Sequence, residues 1–428
     1  MSSHLLARLR GEAADVLGAI TADTNVIVPL AAGEPRTIID AIDDAGDTLE
    51  RVRIHQMHAL YEHPYLRGVH GDRLRHVSYF LSPITRPYFQ AEAIDLVPCH
   101  FSEVPLLLGL LDGPLLAVAA VSPPDRHGYF TLGTNSDYVS SFIGRVPFFV
   151  EVNPQMPMTS GGNQLHISQV AGWCEADYPL VEVPLPHFDE TFEQIGKLIA
   201  ERVPDGATVQ AGIGAASTSV LAKLGEHRDL GVHTEVFSDP LIDLIESGVV
   251  TGVHKARRRS KHVATFALGT RALYDFIDQN HAVELLPVDW VNDPRVIAQQ
   301  PRMVSINSSI AVDFLGQCAS ETIGGRYWSG SGGQADFARG AMYSEGGQGF
   351  VALPSTAQHG QISRIVATLD PGAAVTTMKN TVDKVCTEFG VAELRGKGIR
   401  DRVQRLIAVA HPDHRDELRH AARAMGYA

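Results

Sequence analysis

The chain has 428 residues, 44% of them apolar and 20% charged, with a formal net charge of -13; that length suits two domains and that composition folds. The acidic balance excludes a general nucleic-acid binder, which needs basic stripes to meet phosphates, and no apolar run reaches the roughly 20 residues that cross a bilayer. MSSHLLARLRGEA lacks the apolar stretch of a secretory signal, and Cys99, Cys174, Cys318 and Cys386 show no paired spacing, so a cytoplasmic protein without a disulfide framework or zinc site is expected.

In chain order, the first residues predict a helix. TNVIVPLAAGEPRTIIDAIDDA reads as a strand, a turn at GEP and a helix. RVRIHQMHAL and HVSYFLS read as strands, and AIDLVPCHFSEVPLLLGL as a strand and a short helix. PLLAVAAVSPPD and RVPFFVEVNPQMP are apolar strands stopped at Pro-Pro and Asn-Pro. This alternation predicts an α/β fold, with mostly parallel sheets under helical cover. ADYPLVEVPLPHFDE (176–190) is proline-rich and breaks the rhythm, which sets two α/β domains at 1–188 and 189–428.

The second half continues in the same style. ATVQAGIG is a strand entering a glycine turn, and ASTSVLAKLG is a helix with Gly225 as its expected C-cap. VHTEVF reads as one short strand. Ser238 is the expected N-cap of DPLIDLIESG, with Gly248 closing that helix. HVATFAL, YDFIDQN and AVELLPV keep the alternation. HPDHRDELRHAARAMG reads as an amphipathic helix opened by Pro412.

Two glycine turns stand out. AGIGAA (211–216) follows a strand and opens a helix, a natural seat for an anion. It departs from a dinucleotide fingerprint, because Ser217 replaces the third glycine and no ribose-binding acid follows at the usual distance. A purely structural turn is the other reading. GGRYWSGSGGQADF (324–337) holds five glycines, an entropic cost that packing alone does not explain. Gly332 and Gly333 could offer backbone N–H groups to developing negative charge, and Tyr327 and Trp328 could cover a ring or plug an interface. SEGGQGFVALPSTA reads as a hairpin turn between strands.

Glu235 lies in a strand end between Thr234 and an apolar pair. The plain reading is a structural carboxylate. The functional reading is a nucleophile that attacks a carbonyl and holds the acyl group as an anhydride. That role requires the ends of two strands to share one sheet edge, where open α/β sheets bind ligands.

AGIGAA, GVHTEVFSDP, FALGTRALYDFID, PVDWVNDPRVIAQ, INSSIAVDFLGQ, SGSGGQADFARGA and AHPDHRDEL, with VSPPDRHGYFTLG and EVNPQMP before them, resemble the acetyl-CoA hydrolase/transferase family, on its 4-hydroxybutyrate CoA-transferase branch. The resemblance runs from about residue 120 to the end. It implies two linked α/β domains of the CoA-transferase type, with the active site at their interface, and a homodimer. It places the catalytic glutamate at Glu235 and contacts to coenzyme A at Gly212, Ile213, Gly214, Ala215, Ala216 and Asn292. It gives Gly333 both a CoA contact and a place in the oxyanion hole. Acyl-CoA and a small carboxylic acid are the implied substrates, with no cofactor bound permanently, no metal, no nucleic acid and no membrane. The implied course is ping-pong through a glutamyl-CoA thioester. Met158 stands where many relatives have arginine, and Arg75-His76-Val77 where they often read R-H-N, which suggests an altered, more apolar acyl or acid pocket.

Other features carry less. HKARRRSKH (254–262) could draw CoA phosphates, although such runs are usually solvated loops. His55, His58, His76 and His100 have no metal-ligand spacing. Cys318 reads as a small buried residue. An acyl-CoA hydrolase is the nearest alternative function, followed by a non-catalytic acyl-CoA binder; a nicotinamide dehydrogenase survives only if AGIGAA is read in isolation.

Overall fold

The computed structural model describes residues 2–427. The chain packs as two compact units. One is the chain up to Pro184 together with Val263–Val291; the other is Leu185–His262 together with the chain from Asn292 onward. The units are not consecutive in sequence, so they do not correspond to a single cut between 188 and 189. Residues 263–291 return to the first unit because their polar backbone and apolar faces are satisfied there. Glu284 and Leu285 pair in parallel with Ser160 and Gly161. The carbonyl of Thr265 accepts the N–H groups of Ser136 and Asp137, both at 2.9 Å, and Leu273, Tyr274 and Ile277 are buried.

The first unit is built on seven strands: β1 Asn25–Ile27, β2 Val52–Gln56, β3 Leu74–Ser78, β4 Asp95–Leu96, β5 Leu115–Val121, β6 Phe148–Val152 and β7 Val170–Glu175. Their spatial order is β7-β6-β5-β1-β2-β3-β4, and every pairing is parallel. Parallel strands covered on both faces read as continuous apolar runs; LLAVAAV of β5 and FFVEV of β6 are buried almost throughout. Strand order reverses between β1 and β5, the position at which open sheets form a crevice at their carboxyl ends.

The second unit is built on β8 Thr208–Ala211, β9 Gly231–Val232, β10 Met303–Ser308, β11 Gln348–Ala352, β12 Lys384–Thr387 and β13 Gly390–Glu393. The order is β9-β8-β10-β11-β12-β13, parallel except for the antiparallel last pair. Val312, Phe314, Val351, Leu353, Val385, Val403 and Leu406 form a core beside it.

Several local expectations change. SEGGQGFVALPSTA is not a hairpin turn. Its first glycines link the helix Gln334–Tyr343 to β11, whose run GFVA is buried between two parallel neighbours. The hairpin comes later, where Thr356–Ala357 pairs with Ile362–Ser363. Asp239, not Ser238, occupies the N-cap of Pro240–Glu246, and Gly248 is left-handed just past its end as expected. The helix Ala215–Ala222 stops at Lys223, before Gly225. Pro412 opens a short 3-10 turn, and the terminal helix proper is Arg415–Ala424.

Gly340 lies mid-helix, where alanine is ordinarily favoured by about 1 kcal/mol. A Cβ there would sit 2.4 Å from Cγ2 and 2.5 Å from Cβ of the buried Ile297. Overpacking of this kind costs roughly 1–3 kcal/mol, so Gly340→Ala is expected to lower stability in chemical denaturation rather than raise it.

Candidate functional site

Strands β8 and β9 are parallel neighbours, so their carboxyl ends share one edge. The N–H of His233 donates to the Val209 carbonyl at 3.2 Å, and Thr234 Oγ1 donates to the Ala211 carbonyl at 3.3 Å. The chain then bends at Glu235. VHTEVF is therefore two short pieces, Gly231–Val232 and Val236–Phe237, with the glutamate at the break. The fully buried Phe237 anchors the segment just past the bend.

Two residues distant in sequence converge on this carboxyl. Asn292 Nδ2 donates to Glu235 Oε2 at 2.8 Å, and the Gly333 backbone N–H donates to the same carboxyl. Asn292 is fully buried, and its neighbour Asp293 caps Pro294–Ile297 by accepting the Arg295 N–H at 2.8 Å. Gly333 occupies the N-cap of Gln334–Tyr343, so the positive end of that helix also faces the carboxyl. Only glycine fits at 333: a Cβ would lie 2.0 Å from Glu235 Oε2 and 2.2 Å from Asn292 Nδ2.

Burial pushes the Glu235 carboxyl up to about 7, against the opposing pull of the Asn292 amide and the Gly333 N–H. The residue as a whole keeps some exposure. No lysine, arginine or histidine contributes to the shift. The carboxyl is thus desolvated without an ion pair, which raises both its basicity and its reactivity once ionised.

The glycine turn Gly212–Ala216 occupies the end of β8, beside the same edge. Gly214 has φ of 123°, a conformation reserved for glycine, and a Cβ there would meet nothing within 4 Å. Ile213 is 61% exposed. Ala215 and Ala216 begin the helix Ala215–Ala222. The turn approaches Glu235 through Ala211 and Thr234; among the described residues no hydrogen bond joins it directly to the carboxyl. Glu235, Asn292 and Gly333 are therefore in mutual contact, with the turn next to them.

Sequence reasoning missed what sets this turn. Gln210 Nε2 donates to Asn307 Oδ1, and Asn307 Nδ2 donates to Gln210 Oε1, both at 3.1 Å, a reciprocal amide pair between β8 and β10. A Cβ at Gly212 would lie 3.0 Å from Asn307 Oδ1. The available signal was a polar residue near the carboxyl end of each of two apolar strands.

The remaining candidates are dispersed. Lys255 is buried, donating to the carbonyls of Val232 at 2.6 Å and Lys261 at 2.7 Å, while Arg257, Arg258 and Arg259 are exposed. Trp328 is 45% exposed. His55 bonds Asn25 and Tyr79, His76 bonds Tyr65, His58 packs on Phe80, and His100 starts a turn with Glu103. Cys318 is fully buried, and burial pushes its thiol far up, which suits packing rather than reactivity. Val77 is buried within β3 and Met158 is half-buried. Among the described residues no group of three or more His, Cys, Asp or Glu is arranged to hold a metal, and no helix is long and apolar enough to cross a membrane.

Comparison with known proteins follows the same lines. Residues 10–183 match the acetyl-CoA hydrolase/transferase N-terminal domain and residues 269–422 the corresponding C-terminal domain. The chain is 45% identical over 398 residues to a succinyl-CoA:cyclohexane-1-carboxylate CoA transferase of Geobacter metallireducens, covering 93% of this chain and 91% of that protein. It is 40% identical over 397 residues to a 4-hydroxybutyrate coenzyme A transferase of Clostridium kluyveri, covering 92% of each. The crystal structure of RipA from Yersinia pestis superposes with a TM-score of 0.95 at 34% identity, covering 100% of both chains. With its parallel sheets, its two α/β units and these matches, the chain belongs to the acetyl-CoA hydrolase/transferase family.

Proposed function

We propose that the protein is a CoA-transferase that moves CoA between an acyl-CoA, acetyl-CoA or another short-chain thioester, and a carboxylic acid, with Glu235 as the nucleophile. The observation that carries this reading is the Glu235 carboxyl, desolvated without a cation and bonded by Asn292 and the Gly333 N–H. A structural carboxylate at such depth would ordinarily have a charged partner or a fuller set of donors. The names of the two relatives point to different acids, so family membership supports transfer to an acid without selecting 4-hydroxybutyrate.

The chemistry keeps the activation energy in covalent bonds throughout. The ionised Glu235 attacks the thioester carbonyl; the C–S bond breaks, and CoA leaves as thiolate from an acyl-glutamyl anhydride. The thiolate then attacks the glutamyl carbonyl, releasing the first acid as carboxylate and leaving a glutamyl-CoA thioester. The acceptor carboxylate attacks that thioester, giving a new anhydride and free thiolate. Attack of the thiolate on the new acyl carbonyl frees Glu235 and forms the product acyl-CoA. Two of these four steps build negative charge on the glutamyl oxygen itself. Asn292 Nδ2 and the Gly333 N–H already donate to that carboxyl, so they serve as preorganised donors for it. The glycine turn Gly212–Ala216, with Asn292 and Gly333, is assigned to CoA. Binding energy from the distant parts of CoA is available to drive the first, hardest attack.

Three outcomes are expected. Glu235→Gln abolishes acyl-CoA-dependent transfer, with kcat falling at least ~10³-fold as expected for loss of a nucleophile, while CoA still binds in calorimetry; full turnover by this variant would sink the proposal. An acid-independent release of CoA at the full rate in the wild type would indicate a hydrolase instead. Gly333→Ala, which forces a methyl into the carboxyl, lowers kcat by roughly 10²-fold or more.

The third outcome concerns pH. The nucleophile must be ionised, so kcat/KM rises about tenfold per pH unit below 7 and levels off above it. The folded-state value of about 7 lies above the reference value of 4.5. Between these, the native state holds more protons than the unfolded chain, and stability falls as pH rises. Glu235→Gln removes that penalty, so at pH 8 it is expected to be more stable than wild type, by at most on the order of 3 kcal/mol, and at pH 4 to show no such gain.

A further inference from the structure

Among the described residues, Arg36 of the first unit has neither an ion pair nor a hydrogen bond from its guanidinium, only contacts with two aromatic rings. Arg36 begins the helix Arg36–Asp44, just after β1. Its guanidinium lies between two tyrosine rings, 4.5 Å from the centroid of Tyr61 and 5.0 Å from that of Tyr178. Both rings are fixed by their hydroxyls. Tyr61 accepts the Val181 N–H at 3.2 Å, while Tyr178 accepts the Arg36 backbone N–H at 3.2 Å and donates to Glu151. Burial pushes the Tyr61 phenol up to about 12, so that ring stays neutral. Among the described residues no oxygen hydrogen-bonds the guanidinium, which is only half-buried.

The nearby carboxylates are already committed. Glu34 is bonded by His63 Nε2 at 2.6 Å and by Gln56. His63 also holds Asp40 at 2.9 Å. Glu151 receives the N–H groups of Thr37 at 2.8 Å and Ile38 at 3.2 Å, the Thr37 hydroxyl and the Tyr178 hydroxyl. The helix N-terminus is thus capped from inside by Glu151, and the arginine fork is left over. A lone arginine on a surface is unremarkable; one clamped between two anchored rings has lost its rotamer freedom in advance, which is the preparation a ligand otherwise has to supply.

Topology points the same way. Arg36 follows β1, Tyr61 follows β2 and Tyr178 follows β7, so all three stand at the carboxyl-end edge of the seven-stranded sheet. Open parallel sheets take their ligands at that edge. A rigid planar fork with free N–H groups matches a carboxylate, which accepts two parallel hydrogen bonds. We infer that Arg36, framed by Tyr61 and Tyr178, is a recognition site for the carboxylate of a small organic acid. The choice of carboxylates as the ligand class rests on the transferase reading; the site itself rests on the geometry.

The test is direct binding to the full chain, with no turnover required. Calorimetric titration with succinate, acetate and inorganic phosphate is compared among wild type, Arg36→Met, Arg36→Lys and Glu235→Gln, each checked for an unchanged melting profile. At least tenfold weaker acid binding is expected for Arg36→Met. Arg36→Lys, which keeps the charge but loses the fork and folds under the same restraints, should lose several-fold. The Arg36-dependent binding should persist in Glu235→Gln, so failure of the glutamyl mechanism leaves this result standing. Equal acid binding by wild type and both Arg36 variants, or no saturable acid binding by wild type, would overturn the inference. Binding of phosphate in preference to both acids would overturn the assignment to carboxylates.

Discussion

The chemistry proposed for this protein depends on one carboxyl group kept out of water without a counter-ion. Desolvation raises the free energy of an ionised carboxylate, and an arginine or lysine beside Glu235 would have cancelled that effect and quenched the nucleophile. Instead the site offers one amide, one backbone N–H and the end of a helix dipole. These are weaker than an ion pair, and in the proposed transfer they face the oxygen on which charge builds. In the proposed mechanism the donors that hold the resting carboxyl are also the ones that meet the oxyanion formed at the glutamyl carbon, and they need no rearrangement to do so.

Holding that group places demands on distant parts of the second unit. The parallel pairing of β8 with β9 fixes where the chain can bend, and the bonds from His233 and Thr234 back to β8 set the bend at Glu235. The helix Gln334–Tyr343 brings Gly333 close enough that no side chain fits there, and the same helix packs the bare face of Gly340 on Ile297. The Gln210–Asn307 pair locks the strand end from which the glycine turn departs. Each is an ordinary packing or hydrogen-bond feature whose consequence is read out at one oxygen.

Much of the framework was legible in the sequence, for clear physical reasons. Apolar runs such as LLAVAAV and FFVEV, halted by prolines that cannot donate to a ladder, announce buried parallel strands, and AGIGAA announces a turn that only glycine can make. The position of Glu235 was legible, but HTEVF alone left a structural carboxylate and a nucleophile both open, and the resemblance is what favoured the nucleophilic role proposed for it. Residues 263–291 were misplaced because apolar periodicity shows that a segment is buried, not which sheet buries it. The hairpin expected near Gly346 failed for the same reason, since β11 pairs with strands far away in sequence. Arg36 gave no signal at all. One arginine at a helix start is common, and only the fold brings Tyr61 and Tyr178 to its two faces.

The proposed transfer requires CoA to become covalently attached to Glu235. The most direct measurement is to incubate the protein with an acyl-CoA, reduce with borohydride and map the peptides by mass spectrometry. Covalent transfer through Glu235 gives reduction of the glutamyl thioester to the alcohol at Glu235 alone, only when acyl-CoA is present, with activity lost in step. An unmodified Glu235 across short and longer acyl-CoAs, in a protein that demonstrably binds CoA, would contradict it and leave a binding protein in place of a transferase.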